Sequence, residues 1–151
     1  MRWLFRLTVA AGLLAAAAGR CCDPAKGDKP QFQGTWQLLS IEADVSQLSA
    51  LCPDDLSRAR LTIQGDRCTL MLGGTRWQGI YMITAGGRPK ALDLAITAGP
   101  DKGKRVRALY ALTGDTLRLC YYPRPGAERP AGFTRAPGSD VLVIIWQRRA
   151  P

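Results

Sequence analysis

Short runs of alternating apolar and polar residues recur along this chain, about every eight to twelve residues, with glycine-containing turns between them. Because successive side chains of a β-strand point to opposite faces, the pattern predicts strands that each bury one face. Eight strands are predicted, at residues 34–43, 59–64, 67–73, 76–84, 90–98, 104–113, 116–122 and 140–148. In a chain of 151 residues they indicate a single all-β domain.

Two hairpins of the same form fix the register of the predicted sheet. Gly65-Asp66 and Gly114-Asp115 each place glycine first in a two-residue loop, as a type II′ turn requires. Four facing pairs follow on one side of the sheet: Leu61 with Leu70, Ile63 with Cys68, Tyr110 with Leu119, and Leu112 with Leu117. Eight sequential antiparallel strands with one apolar face can close into a barrel, provided that the last strand pairs with the first.

Two longer segments interrupt the strand pattern. In the first long loop, Pro53-Asp54-Asp55 suits the first turn of one short helix, where proline and acidic side chains are favourable. Helix capping explains these carboxylates better than an acid/base pair, because adjacent helical residues do not face each other. The proline- and glycine-rich segment 123–139 is predicted to form a long structured loop or lid.

The N-terminal residues have the features of an export signal. A short basic start precedes an apolar run from Leu7 to Ala18, which is too short to span a bilayer and ends in small residues. We therefore expect a signal peptide over residues 1–19, a tether over residues 20–31 and the barrel domain over residues 32–149. The product is expected to be periplasmic or secreted.

Cys21 offers an alternative to a freely soluble product. It follows small residues closely enough to suggest lipidation and anchoring in the cell envelope, and a membrane partner is expected only in that case. Arg20 argues against this alternative, because lipobox recognition wants a small residue directly before the cysteine.

The absence of histidine excludes several kinds of chemistry. Without it the chain cannot form Ser-His-Asp or Cys-His catalytic groups or histidine-based zinc sites. The five cysteines contain no CxxC pair, and we expect no metal, no cofactor and no enzyme activity. A cluster of Arg105, Arg107, Arg118 and Tyr122 could hold a phosphate or carboxylate, but solvated surface charges explain it equally well. A GC-rich genome explains much of the net charge of +9, so we expect no nucleic-acid partner.

An ordered set of motifs along the domain resembles the motifs of a known type of barrel protein. Gly34-Thr35-Trp36 matches the Gly-x-Trp start of lipocalin-type barrels. It is followed in order by Leu61-Thr-Ile-Gln-Gly-Asp66, Gly79-Ile-Tyr81, Leu92-Asp-Leu94, Gly99-Pro-Asp-Lys-Gly-Lys104 and Gly114-Asp-Thr-Leu-Arg-Leu-Cys-Tyr121. Over roughly residues 32–149 the chain resembles the small exported planctomycete lipocalin-like family. The resemblance implies an eight-stranded antiparallel up-and-down barrel, but the family has no established activity to carry over.

The resemblance also implies roles for residues that close the barrel. In lipocalin-type barrels the tryptophan of Gly-x-Trp lies at the closed end, packed by an arginine near the end of the last strand. Gly34 and Trp36 would open the first strand, and Arg148 or Arg149 would make a cation–π contact worth about 0.5–2 kcal/mol. Cys68 stands where the family usually has an aromatic residue, and Cys52 is an added cysteine. We expect these two to form a disulfide if any two cysteines of the domain do.

The interior of an eight-stranded barrel is just wide enough for one small ligand or for the barrel's own side chains. Our first hypothesis is that it binds a small apolar or amphipathic molecule, with a cavity lined by Trp77, Tyr81, Leu94, Tyr110, Leu119 and Tyr121. The alternative is a filled barrel that serves as a non-catalytic interaction or scaffold module of the cell envelope. The strand Val141–Trp146 is apolar on both faces, so either segment 123–139 or a protein partner must cover it.

Overall fold

The computed structural model describes residues 27–49, 52–84, 86–124 and 126–150; the predicted signal peptide, Cys21 and the tether up to residue 26 lie outside them. Eight antiparallel strands form a closed barrel, each paired with its neighbours in sequence and the last with the first. They are β1 Gly34–Glu42, β2 Arg60–Gln64, β3 Arg67–Leu72, β4 Thr75–Thr84, β5 Lys90–Ala98, β6 Arg105–Thr113, β7 Thr116–Tyr121 and β8 Leu142–Arg148. The predicted all-β, lipocalin-like up-and-down barrel is confirmed, with strand ends within two residues of those expected.

The predicted register is also confirmed. All four facing pairs expected from the two hairpins are present in the β2–β3 and β6–β7 ladders. Gly65 and Gly114 have φ of 60° and 56°, a conformation that glycine adopts without the steric cost of a side chain. Because register decides which face each residue occupies, the sequence pattern correctly assigns the inward-facing side chains of these four strands.

In the described part of the chain, three short helices accompany the strands: α1 Lys29–Phe32, α2 Val45–Leu48 and α3 Pro53–Ser57. The one helix predicted in the first long loop is present as α3, and a second helix, α2, precedes it in the same loop. The sequence analysis missed α2, whose start is stabilised by a polar cap: the backbone N–H of Asp44 donates to the side-chain oxygen of Gln47, 3.3 Å away. In α3 Pro53 occupies the first turn with Asp54 and Asp55, as expected.

The two ends of the barrel differ. One end, here called the closed end, carries the tight turns β2–β3 and β6–β7 together with α1. The other, the open end, carries the first long loop, the β3–β4 turn, the β5–β6 loop and the long β7–β8 loop. Phe32, Trp36, Tyr110 and Leu117 are each at most 1% exposed and lie in one interior core. Among the described residues, no helix is long and apolar enough to cross a membrane.

The β7–β8 loop packs on the outside of the barrel. Leu109, Cys120, Val141 and Val143 form a second buried cluster there, beneath Phe133 of the loop. Salt bridges from Arg129 and Arg135 to Asp93 and Asp44 hold the loop in place. Of the two alternatives for covering the outer face of Val141–Trp146, the structure therefore shows the chain's own loop over Val141 and Val143.

The expected Cys52–Cys68 disulfide is not formed: within the described part of the chain, Cys52, Cys68 and Cys120 are all free thiols. Cys68 faces Ile63 near the closed end of β3, whereas Cys52 directly precedes α3 at the open end. The length of β2 therefore separates them. Burial raises the pKa of the Cys68 thiol to about 11 and also raises that of Cys120, which donates to the carbonyl oxygen of Gly132.

Candidate ligand site in the barrel

Arg148 joins the last strand to the first at the closed end. Its guanidinium carbon lies 4.2 Å from the ring centroid of Trp36, and its two terminal nitrogens donate to the carbonyl oxygens of Gln31 and Gln33. A β-carbon added at Gly34 would lie 3.2 Å from this guanidinium, and Gly34 has a φ of 120°. Glycine is therefore required at this position for both space and backbone conformation. Of the two arginines considered for contact with Trp36, the structure places Arg148 there.

Arg149 occupies a different position. Its side chain is exposed, and its backbone N–H donates to the carbonyl oxygen of Thr35, 2.9 Å away. It extends the pairing of the last strand with the first without contacting the Trp36 ring through a cation–π interaction. Trp36 itself is fully buried, and its indole N–H donates to the carbonyl oxygen of Phe32 at 2.9 Å.

Helix α1 fills the closed end of the interior. The Phe32 ring stacks on Tyr81 with centroids 5.6 Å apart and meets the edge or face of Tyr110 at 5.0 Å. The hydroxyl of Tyr81 donates to the carbonyl oxygen of Gly65, and that of Tyr110 donates to Asp28 at 2.8 Å. Both tyrosines, expected to line a ligand cavity, therefore contribute instead to a plug at the closed end.

Asp28 lies in the stretch that the sequence analysis assigned to the tether, yet it is bonded to the barrel. Its carboxylate accepts hydrogen bonds from Tyr110 and from Lys90, the latter at 2.5 Å. Burial alone would raise the pKa of Asp28, but these hydrogen bonds and the positive charge of Lys90 outweigh it, so the pKa lies below its usual value. Burial and the neighbouring carboxylate raise the pKa of Tyr110.

Trp77, another residue expected to line the cavity, bonds to the β5–β6 loop at the open end. Its indole N–H donates to Asp101 at 3.1 Å, and the same carboxylate accepts from Lys104 at 2.5 Å. These two hydrogen bonds hold the pKa of Asp101 below its usual value. Trp77 is half-buried and lies outside the interior core cluster.

The other three candidates, Leu94, Leu119 and Tyr121, pack against the interior core but are only half-buried. They share this property with other inward-facing apolar side chains, including Leu38, Ile41 and Leu142. Burial raises the pKa of Tyr121 to about 12. The structure thus leaves part of the apolar interior incompletely covered.

A cleft of about 430 Å³ opens beside this uncovered part. Pairing between β1 and β2 ends at Gln37, and a β-bulge follows between Leu38 and Ser40. Beyond that point β1 remains paired with β8, but its other edge faces the first long loop instead of β2. The cleft is lined by Leu38, Leu39, Ser40, Ile41, Leu48, Pro53, Leu56 and Ser57. Because Leu38 and Ile41 also pack against the interior core, the cleft adjoins the barrel interior.

A buried polar atom lies next to these side chains. Trp146 faces Leu38 across the β1–β8 ladder and is 4% exposed, and its indole N–H is buried without a hydrogen-bond partner in the described residues. Leaving a donor unsatisfied in this way costs about 1–3 kcal/mol. Sequence analysis placed Trp146 only in the apolar last strand and gave no signal for this unsatisfied donor.

The arginine cluster considered for anion binding is divided in the structure. Arg118 lies under the β7–β8 loop with its guanidinium carbon 5.2 Å from the Phe133 ring centroid, whereas Arg105 and Arg107 are exposed on β6. Among the described residues, no group of three or more His, Cys, Asp or Glu side chains is placed to hold a metal ion.

Comparison with known proteins adds no further assignment. No protein-family model matches the chain, and no curated protein shows significant similarity to it.

Proposed function

We propose that this barrel binds one small apolar or amphipathic molecule, which enters beside β1 through the cleft that α2 and α3 border. The observation that carries the proposal is that Leu38 and Ile41 line this cleft and also pack against the interior core. We also propose, from the N-terminal sequence, that the protein is exported, and from its motifs that it belongs to the planctomycete lipocalin-like family.

Packing at the closed end leaves only the open end of the barrel interior for a ligand. Phe32, Trp36 and Tyr110 are fully packed there, and any ligand that displaced them would lose large buried contacts. The apolar part of a ligand is therefore expected against Leu38, Ile41 and the half-buried side chains near them. Covering such surface stabilises a complex by about 25 cal/mol per Å² of apolar area removed from water.

The unsatisfied indole N–H of Trp146 favours an amphipathic ligand over a pure hydrocarbon. A carbonyl, carboxylate or ether oxygen that accepted this hydrogen bond would satisfy a donor that the described chain leaves unpaired. Trp146→Phe removes the donor and keeps a large aromatic ring. This variant should bind oleate more weakly and should bind a hydrocarbon probe of similar length as well as the original protein does.

Filling the cleft tests the site directly. Leu56→Trp adds volume inside the cleft. As a control, Met82→Trp places a tryptophan on the outside of β4, where the methionine side chain is 68% exposed. We expect oleate or N-phenyl-1-naphthylamine to bind the original protein and the Met82→Trp control alike, and to bind Leu56→Trp at least ten times more weakly. Binding is followed by dye fluorescence and by thermal shift.

The alternative function is a filled barrel that acts as a cell-envelope scaffold, and the plug formed by Phe32, Tyr81 and Tyr110 is the observation in its favour. A ligand present at 100 times its Kd should stabilise the fold by about 2.7 kcal/mol. If fatty acids, isoprenoids and aromatic dyes all leave the melting temperature unchanged at millimolar concentration, the carrier hypothesis is wrong and the scaffold is preferred.

A further inference from the structure

We propose that the outer face of the consecutive strands β2 to β6 docks on an anionic lipid bilayer. This face, here called the basic face, carries Arg60, Arg67, Arg76, Arg105 and Arg107, with Met71, Ile80 and Met82 among them. The inference concerns the outside of the barrel, so it stands whether or not the interior binds a ligand.

The described residues cover only part of the outer surface of the barrel. The β7–β8 loop packs on the outer side chains Leu109 of β6, Cys120 of β7 and Val143 of β8. On the other side of the barrel, Met71 is 39% exposed, Ile80 44% and Met82 68%. Within the described ranges, the basic face is therefore bare where the opposite side is covered.

The register places apolar side chains directly between arginines. Arg60, Met71 and Arg76 are consecutive neighbours across β2, β3 and β4, so Met71 lies about 5 Å from each strand beside it. Arg67 lies beside Ile80, and Ala95 and then Arg105 follow in the same row across β5 and β6. In both rows, arginines thus flank the apolar side chains, and together the rows span the five strands from β2 to β6.

These arginines differ from most other cations of the barrel in having no acidic partner. Seven basic side chains elsewhere form salt bridges with carboxylates: Lys29, Lys90, Lys104, Arg124, Arg129, Arg135 and Arg148. In the described structure none of the five arginines of the basic face forms one. Asp93, the cross-strand neighbour of Arg107, is paired instead with Arg129 of the β7–β8 loop. Asp66, which directly precedes Arg67, is paired with Lys29, and Asp55 lies against the β3–β4 turn at Gly73.

The combination of charges and apolar side chains favours a bilayer over a soluble polyanion. Guanidinium groups bind lipid phosphates through charge-assisted hydrogen bonds, while methionine and isoleucine side chains can enter the boundary between headgroups and acyl chains. A dissolved acidic polymer offers no apolar layer for Met71, Ile80 and Met82. Each arginine near an anionic surface strengthens binding about fivefold at moderate ionic strength.

Vesicle sedimentation tests the proposal, using phosphatidylcholine vesicles with and without 30% phosphatidylglycerol. Each variant is prepared in the full chain and in a chain that begins at Gly27, whose folding is checked by circular dichroism, so that residues 1–26 do not contribute to the second measurement. We expect binding only to the anionic vesicles and release at high salt. The double variant Arg67→Gln/Arg105→Gln should bind about 30 times more weakly.

Two further variants separate the possible partners. Arg124→Gln removes one exposed positive charge from the β7–β8 loop and should change vesicle binding less than twofold. Arg67→Gln also removes one charge and should weaken vesicle binding about fivefold. Ile80→Ser/Met82→Ser keeps every charge and should weaken binding to vesicles but not to dextran sulfate. Equal binding to both vesicle types, or an Ile80→Ser/Met82→Ser protein that binds vesicles as well as the original, would overturn the proposal; the latter result would identify a soluble polyanion as the partner.

Discussion

Replacing Arg148 by alanine should destabilise the barrel far more than replacing its neighbour Arg149. The Arg148 guanidinium contacts the fully buried Trp36 ring and donates to the carbonyl oxygens of Gln31 and Gln33. A cation–π contact with a desolvated ring is worth about 1–2 kcal/mol. Each hydrogen bond from a charged donor contributes about 1.5 kcal/mol at the low end of its range. The ion pair with exposed Asp115 adds less than about 1 kcal/mol.

Together these contributions predict that Arg148→Ala lowers the free energy of unfolding by about 4 kcal/mol. For a domain of this size, that corresponds to a decrease in melting temperature of roughly 15 °C. Arg148→Lys keeps the charge but loses the planar fork, so it should cost about half as much. Arg149→Ala removes the same atoms from an exposed side chain and should cost less than about 0.5 kcal/mol.

Urea unfolding of the three variants, followed by tryptophan fluorescence and by far-ultraviolet circular dichroism, measures these differences. Arg149→Ala is a matched control for Arg148→Ala, because it makes the same chemical change at the adjacent position in the chain. If Arg148→Ala and Arg149→Ala lose equal stability, the guanidinium does not hold the first and last strands together and the reasoning fails.

Two further predictions concern titration and thiol accessibility. The pKa of Asp28 is lower in the folded barrel than its usual value, so its contribution to stability is present above about pH 4 and is lost as the pH falls through the lowered value. Urea midpoints measured between about pH 2 and 6 should therefore fall less with acid for Asp28→Asn than for the original protein. Of the three described cysteines, Cys52 should react rapidly with iodoacetamide in the native state, whereas Cys68 and Cys120 should react only on unfolding. Peptide mass spectrometry measures the labelling rates. If Cys120 is labelled as fast as Cys52, the β7–β8 loop does not cover it.

The fold could be predicted because its determinants are local. Alternation decides which face of a strand is apolar, and a two-residue turn at Gly65 or Gly114 fixes how two neighbouring strands align. Closure follows, since sequential antiparallel strands leave only the first and last edges to pair. Closure is the one step that needs distant parts of the chain, because it pairs residues such as Trp36 and Arg148.

The candidate site was predicted less completely, because it depends on contacts outside the strand pattern. An inward-facing position at Tyr81 or Tyr110 does not reveal which end of the barrel the hydroxyl faces. Phe32 and Asp28 decide this, and Asp28 lies in a polar stretch whose composition resembles a linker. The Cys52–Cys68 pairing failed for a related reason, since a loop cysteine has no strand register from which its distance to another cysteine follows.

The contacts of Arg148 also determine when this protein can finish folding during synthesis. The two backbone oxygens that bind its guanidinium lie 115 and 117 positions earlier in the chain. At translation rates of about 5–20 residues per second, β1 must wait roughly ten seconds before its partner β8 exists. During that time the edges of β1 and β7 remain unpaired and the apolar inner face stays in contact with water. A nascent chain of this protein therefore depends on being kept from aggregation until its final residues have emerged.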